Sequence, residues 1–225
     1  VAVQGAVRQG LSELAETLRR LPSNRSLFAY LGSSMFYRDA LNGLYTFGGI
    51  YAKGVLDWSI VQIGIFGILA NITGIIGALI GGRIDDRFGP KTVVTGSIIL
   101  LILASTTVIT TSPTSALFVQ VADGSSIPNI VFYICGGVIG AAGGSLQAAS
   151  RTLMADQAEP DRMTEAFGLY ALSGKATSFL APGLIAVFTD FSGSQRIGVF
   201  PIVLLFLVGL FLLPLVKQHG DEGSS

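Results

Sequence analysis

Between Leu27 and Val216 the chain reads as six apolar stretches of about twenty residues, nearly free of charge and joined by polar connections. Twenty residues wound as an α-helix rise about 30 Å, the thickness of a bilayer's hydrocarbon core. In lipid every backbone N–H and C=O must find a partner inside the segment, so such stretches span as helices. Composition agrees: 50% of the residues are hydrophobic and 12% charged, where a soluble domain carries about a quarter charged residues. The expected fold is an all-α integral membrane protein with the lipid bilayer as its surroundings.

The sequence divides into three regions. Residues 1–26 hold an amphipathic helix, because Val7, Leu11, Leu14, Leu18 and Leu21 recur at helical spacing opposite Arg8, Glu13, Glu16, Arg19 and Arg20. It is too charged to span and reads as a cytoplasmic linker or a surface-lying helix, ended by Pro22. Residues 27–216 hold the spanning segments, at about 27–51, 59–81, 93–110, 129–146, 166–188 and 197–216. Residues 217–225 form a polar tail. In the fourth segment Gly136, Gly140 and Gly144 stand four apart, a spacing that lines one helix face with small residues and admits a close neighbour. Trp58, beside Asp57 at a segment end, reads as an interfacial anchor.

The turn Gly82–Lys91 joins the second and third segments and forces them to lie antiparallel. Gly82 is expected to permit close helix approach, and Gly89 to supply a helix-ending conformation. Six spans put both ends of the domain on one side. Ten cations (Arg8, Arg19, Arg20, Arg25, Arg83, Arg87, Lys91, Arg151, Arg162 and Lys217) fall on the side of this turn, and two (Lys53 and Arg196) fall opposite. Short loops rich in Lys and Arg stay cytoplasmic, so both termini are expected there. The membrane expected is a bacterial inner membrane.

The segments are not equivalent. The third and sixth are uniformly apolar, as a lipid-facing position requires, while the first, second, fourth and fifth carry the polar groups and most of the glycine. The polar, polar, apolar order occurs twice, which fits two three-helix repeats around a cavity. Arg38, Asp39 and Lys175 fall near the middle of segments. There each charge costs about 2.5–3.5 kcal/mol on insertion scales. Two readings are open: Asp39 pairs with Lys175 or Arg38 to join two helices, or these groups bind an anionic substrate group or carry a coupling proton. Arg38 can also snorkel to an interface. Lys175 follows Ser173-Gly174, where backbone can approach a ligand. Asn42, Asn71 and Gln147 are further polar candidates, as are Tyr37, Tyr45, Tyr170 and Ser150.

Rival chemistries find no support in the residues. The one histidine, His219, lies in the tail and the one cysteine, Cys135, in an apolar run. No Ser-His protease, histidine metal site or disulfide framework follows. The phosphate-binding Gly-x-x-x-x-Gly-Lys loop is also missing, which argues against a nucleotide-driven pump. The 14 cations and 14 anions balance, so nothing points to nucleic acid. No enzyme activity, cofactor or metal is expected.

The turn Gly82–Lys91 resembles the signature loop of the major facilitator superfamily, Gly-x-Leu-Ala-Asp-Arg-x-Gly-Arg-Lys. Gly82, Asp86, Arg87, Gly89 and Lys91 match, Ile84 is conservative, and Asp85 and Pro90 depart. The runs Gly144–Arg151 and Glu165–Leu180 look like one branch of it, the vacuolar amino-acid effluxers of the autophagy-related type and their bacterial relatives. Tyr37-Arg38-Asp39 resembles that branch's Tyr-x-Asp-Gly element, with Ala40 for Gly, and Gly193-Ser194-Gln195-Arg196 is also similar. The resemblance covers residues 27–216 as the C-terminal half of a twelve-helix member. It implies secondary transport of a small solute, plausibly amino acids, by alternating access. The partner is an N-terminal six-helix half or a second copy, with Asp86 and Arg87 gating the cytoplasmic side. From a different class, a non-transporting six-helix module that binds a partner or homodimerises also fits.

Overall fold

The computed structural model describes residues 25–116, 119–122 and 124–217. The amphipathic helix expected over 4–21 and nearly all of the polar tail lie outside the described residues. The helices are α1 (Arg25–Leu56), α2 (Ile60–Phe88), α3 (Pro90–Thr110), α4 (Ile127–Gln157), α5 (Met163–Ala176), α6 (Leu180–Ser192), α7 (Gln195–Gly198) and α8 (Phe200–Leu212). A two-residue strand pair, β1 (Ser115–Ala116) with β2 (Val119–Gln120), interrupts the loop before α4. Among the described residues, five stretches are long and apolar enough to cross a membrane: α2, α3, α4, Pro160–Ser192 and Gln195–Leu215. The 32-residue α1 reaches about 48 Å, long enough to span, but Arg38, Asp39 and Asn42 make it less apolar than the others.

Local sequence sets the helix ends. Ser59 caps α2 in a reciprocal box: the Gln62 N–H donates to Ser59 Oγ at 3.3 Å and the Ser59 N–H to Gln62 Oε1 at 2.9 Å. Gly89, at φ +81°, ends α2 by donating its N–H to the Asp85 carbonyl at 2.7 Å, and Pro90 opens α3 in the next position. One residue therefore separates two spans. Just before α2, Asp57 pairs with Lys53 at 2.7 Å, which holds its carboxyl below the usual carboxylate range.

Helices run past the apolar stretches that mark them in sequence. α4 continues past the expected segment end near 146 to Gln157, so Arg151 stands on a helix and not in the connection to the fifth segment. The helical ladder satisfies its backbone in water as well as in lipid, so leaving the apolar phase does not end it. Ser26 donates to Gln157 Oε1, Gln157 Nε2 donates to the Lys217 carbonyl at 2.6 Å, and Lys91 Nζ donates to the Val216 carbonyl at 2.6 Å. These bonds gather the start of α1, the start of α3, the end of α4 and residues 216–217 at one end of the bundle.

The closest helix pair is α2 with α4. A Cβ on Gly144 would sit 2.1 Å from the Gly74 carbonyl oxygen, and one on Gly77 would sit 2.1 Å from that of Ala141. Ser145 Oγ donates to the Gly77 carbonyl at 2.6 Å across the same seam. The small-residue face expected on the fourth segment is thus a helix contact. Gly82 is not part of it: a Cβ there meets nothing within 4 Å, because the seam ends one residue earlier at Gly81 against Ser145. Trp58 also departs from expectation. It is 1% exposed, packed on Phe66, Phe132 and Tyr133, with Nε1 donating to Asn129 Oδ1 at 2.6 Å. Aromatic neighbours on α2 and α4 cover it.

α3 and α8 are two-faced, burying Ile98 and Leu101 or Ile202 and Phe206 while exposing Leu103 or Phe211. α2 differs: only Gly77 and Gly81 are fully buried, and Ile65, Ile68, Ile72, Ile75 and Leu79 stand exposed.

The fifth segment is broken. Pro182 lacks an N–H and its ring opposes the carbonyl four residues back, so α5 stops at Ala176 and α6 begins at Leu180. The new helix start exposes N–H groups inside the bundle. Asp39, 1% exposed on α1, accepts the Ala181 N–H at 2.6 Å on Oδ2, where negative charge also complements the helix dipole. A close approach at Gly43, one turn further along α1, would place a Cβ 3.0 Å from that of Ala181.

Two stability predictions follow from these contacts. Gly144→Leu is expected to wedge α2 from α4 and cost on the order of 1–3 kcal/mol. Gly96→Leu, in open space on α3, is expected to leave the thermal midpoint in detergent unchanged; equal effects would contradict the seam. Asp39→Ala leaves the Ala181 N–H buried without an acceptor and is expected to cost about 1–3 kcal/mol. Asp39→Asn, which keeps an acceptor oxygen, is expected to cost less in the same measurement.

Candidate functional site

α1, α4 and α5 each contribute one turn of side chains to a cavity of about 260 Å³. Arg38 comes from α1, Gln147 and Arg151 from α4 at four-residue spacing, and Phe167 and Tyr170 from α5 at three-residue spacing. Such spacings put residues on one helix face. Arg38 turns toward α5. Its guanidinium lies over the Tyr170 ring, 3.9 Å from the centroid, and Nη1 donates to the Tyr170 carbonyl at 2.8 Å. The bare backbone of Gly174 makes this possible, since a Cβ there would stand 2.8 Å from Arg38 Cζ, Nη1 and Nη2.

Behind this cavity a hydroxyl cluster joins α1 to α4. Tyr37 Oη lies 2.8 Å from Ser150 Oγ, and Tyr30 donates to the Ser150 carbonyl. Tyr37 and Ser150 are therefore engaged in helix packing.

Arg38 and Asp39 do not pair, and among the described residues neither forms an ion pair with Lys175. Adjacent helix residues point in different directions. Arg38 meets the α5 side of the broken span and Asp39 the α6 side. Asp39 Oδ1 is buried with no hydrogen-bond partner among the described residues. Lys175 is exposed and lines none of the cavities described here; the approach offered by Gly174 is taken by the Arg38 guanidinium instead.

A second, larger cavity of about 690 Å³ lies between α1, α2 and α4, and its polar groups include Tyr45, Asn71 and Gln147. Tyr45 and Gln147 interact through their side chains. Asn71 lines the cavity, and its Nδ2 donates to the Gly67 carbonyl of its own helix at 2.8 Å. Gln147 borders both cavities. Asn42 is exposed on α1 and lines neither.

Gly82, Asp86 and Arg87, expected in the turn, lie on the last two turns of α2, where Asp86 and Arg87 are exposed. Arg87 lies over the Phe88 ring at 5.2 Å, and Lys91 is held by Val216. Asp85, one of the two departures from the superfamily pattern, stands near the end of α2 beside the Thr152 side chain of α4.

Sequence reasoning missed Arg151, because the apolar run ends at Leu146. The signal available was helical phase, which carries the Gln147 face on to Arg151. The break in the fifth span, expected as one helix over 166–188, was missed as well; the signal available was Pro182.

Among curated proteins the chain is 26% identical over 224 residues to the MFS-type transporter YxiO of Bacillus subtilis (strain 168), covering 97% of this chain and 47% of the relative. It is 26% identical over 205 residues to autophagy-related protein 22-2 of Emericella nidulans, covering 89% and 34%. It is 24% identical over 225 residues to autophagy-related protein 22 of Candida glabrata, covering 96% and 39%. The chain thus spans between about a third and a half of the length of these relatives, in their C-terminal half. The family profile described as "Vacuole effluxer Atg22 like" matches residues 2–222. With nearly its whole length inside that match, the chain belongs to the vacuole effluxer Atg22-like family.

Proposed function

We propose that this chain is the C-terminal half of a secondary active transporter that moves a small polar solute, with amino acids as the substrate class, by alternating access. The family's description as effluxers and the MFS-type relative support transport. The observation that carries the half-transporter reading is the cleft between α1, α2 and α4. Its polar groups Asn71 and Gln147 are exposed beside the uncovered isoleucine face of α2. Lipid cannot satisfy such amides, whereas a second six-helix half set against this face converts the cleft into a shared cavity. The length of the relatives favours that N-terminal half over a second copy of this chain, and over a non-transporting module.

In this reading α1 is the sixth span, and α1–α3 and α4–α8 are the two three-helix repeats. Both termini are cytoplasmic in a bacterial inner membrane, the cation count setting the side. Arg38 receives the anionic group of the solute. Asp39, whose Oδ1 is unengaged among the described residues, accepts the coupling proton. Gln147 and Asn71 contact the solute from the cleft, while Asn42 and Lys175 act at the solvent-exposed margin. Gly82, Asp86, Arg87, Gly89 and Lys91 form the cytoplasmic gate, with the exposed Asp86 and Arg87 meeting the other half.

In proteoliposomes holding the full-length protein, labelled amino acids are expected to accumulate when a proton gradient is imposed. Asp39→Asn is expected to lose gradient-driven accumulation while retaining solute exchange. Accumulation undiminished in Asp39→Asn would remove Asp39 from coupling. Folded protein that moves no amino acid in either assay would contradict the substrate class.

A further inference from the structure

The 260 Å³ cavity between α1, α4 and α5 carries a charge pattern that identifies its ligand. It is lined by two guanidinium groups, Arg38 and Arg151, and by no carboxylate. Neither arginine forms an ion pair among the described residues. Two uncompensated cations beside one cavity repel, and an oxyanion between them removes that repulsion. Arg38 is also set in a fixed plane. The Tyr170 ring lies beneath it, the Gly174 backbone lies against it, and the Tyr170 carbonyl takes one N–H. Of the five N–H donors on a guanidinium, the others remain for a ligand. A planar, pre-positioned fork is the arrangement that grips a carboxylate or phosphate through two parallel hydrogen bonds.

We infer that this cavity is an oxyanion-binding site, with Arg38 as the deep ligand, Arg151 at the exposed mouth and Gln147 as a neutral donor toward the larger cleft. The anion assigned is the carboxylate of a small solute; this rests on the transporter reading above. The volume falls just under the ~300–1,000 Å³ of sites for drug-sized ligands, so the solute is a small one. Phe167 and Tyr170 supply an aromatic wall for its apolar part. Gly174 is a positioning residue: it does not reach the ligand, and it leaves room for the guanidinium that does.

The test is binding, measured without transport, so that it stands or falls separately from flux. Purified full-length protein in non-ionic detergent is titrated with the standard amino acids and with the corresponding amino-acid amides. The thermal midpoint is the readout. At least one amino acid is expected to stabilise the protein while its amide, of the same size but lacking the carboxylate, does not. Arg38→Gln is expected to abolish the shift. Arg151→Gln, at an exposed position that leaves the fold intact, is expected to weaken apparent affinity about tenfold. Gly174→Ala is expected to weaken it with both arginines present. A flat response across the panel, equal shifts by acid and amide, or a shift unchanged in both arginine variants would overturn the proposal. A parallel arm compares nanodiscs of phosphatidylglycerol with nanodiscs of phosphatidylcholine. Stabilisation by phosphatidylglycerol alone, lost in Arg38→Gln, would assign the site to a lipid phosphate and overturn the solute assignment.

Discussion

Two opposite charges sit side by side in the middle of α1, and the rest of the bundle is arranged so that they need not meet. Arg38 reaches the Tyr170 carbonyl and ring on α5, while Asp39 reaches the Ala181 N–H at the start of α6. The Asp39 partner exists because Pro182 breaks the fifth span into two half-helices, while Arg38 takes a carbonyl inside the first of them. A continuous helix would use the Ala181 N–H in its own ladder and leave the carboxylate of Asp39 without a buried donor. The break is thus the complement of the charge pair. A cation and an anion on one helix thus hold two half-helices, one each.

The second organising contact works by subtraction. Glycines at 74, 77, 140 and 144 remove side chains between α2 and α4 until backbone meets backbone. In lipid, where apolar burial gives little drive to helix association, such close packing is what holds spans together. It also uses nearly all of the covered surface of α2 and turns the isoleucine face outward. The polar cleft lies along the same helix, so seam, cleft and uncovered face are consequences of one helix placement.

Much of this was legible in the residues. The apolar lengths announced the spanning helices, the four-residue glycine spacing announced the seam, and Gly89 announced a helix end, although the turn expected over 82–91 shrinks to that one residue because α2 stays helical to Phe88. Arg38 and Asp39 were legible as groups needing partners, but not as to which. The natural expectation, an ion pair with each other or with Lys175, fails because neighbouring residues on a helix diverge and because backbone groups at a helix break compete for the same charges. Backbone partners leave no residue-type signature. Likewise, Gly174 was legible as an open approach, yet a guanidinium occupies it. Trp58 beside Asp57 carries the composition of an interface, and its burial depends on Phe66, Phe132 and Tyr133 arriving from other helices. Gly82 shows the limit of reading one residue at a time, since the seam it was expected to join stops at Gly81.

The claim that Arg38 and Asp39 serve separate halves of the broken span is tested most directly by a double-mutant cycle. Arg38→Gln, Asp39→Asn and the double variant are compared with the parent for unfolding free energy in one detergent. Independent partners predict additive losses, with an interaction energy within about 0.5 kcal/mol of zero. An interaction energy well above about 1 kcal/mol, with the double variant less destabilised than the sum of the two, would show that the charges hold each other and would contradict the account.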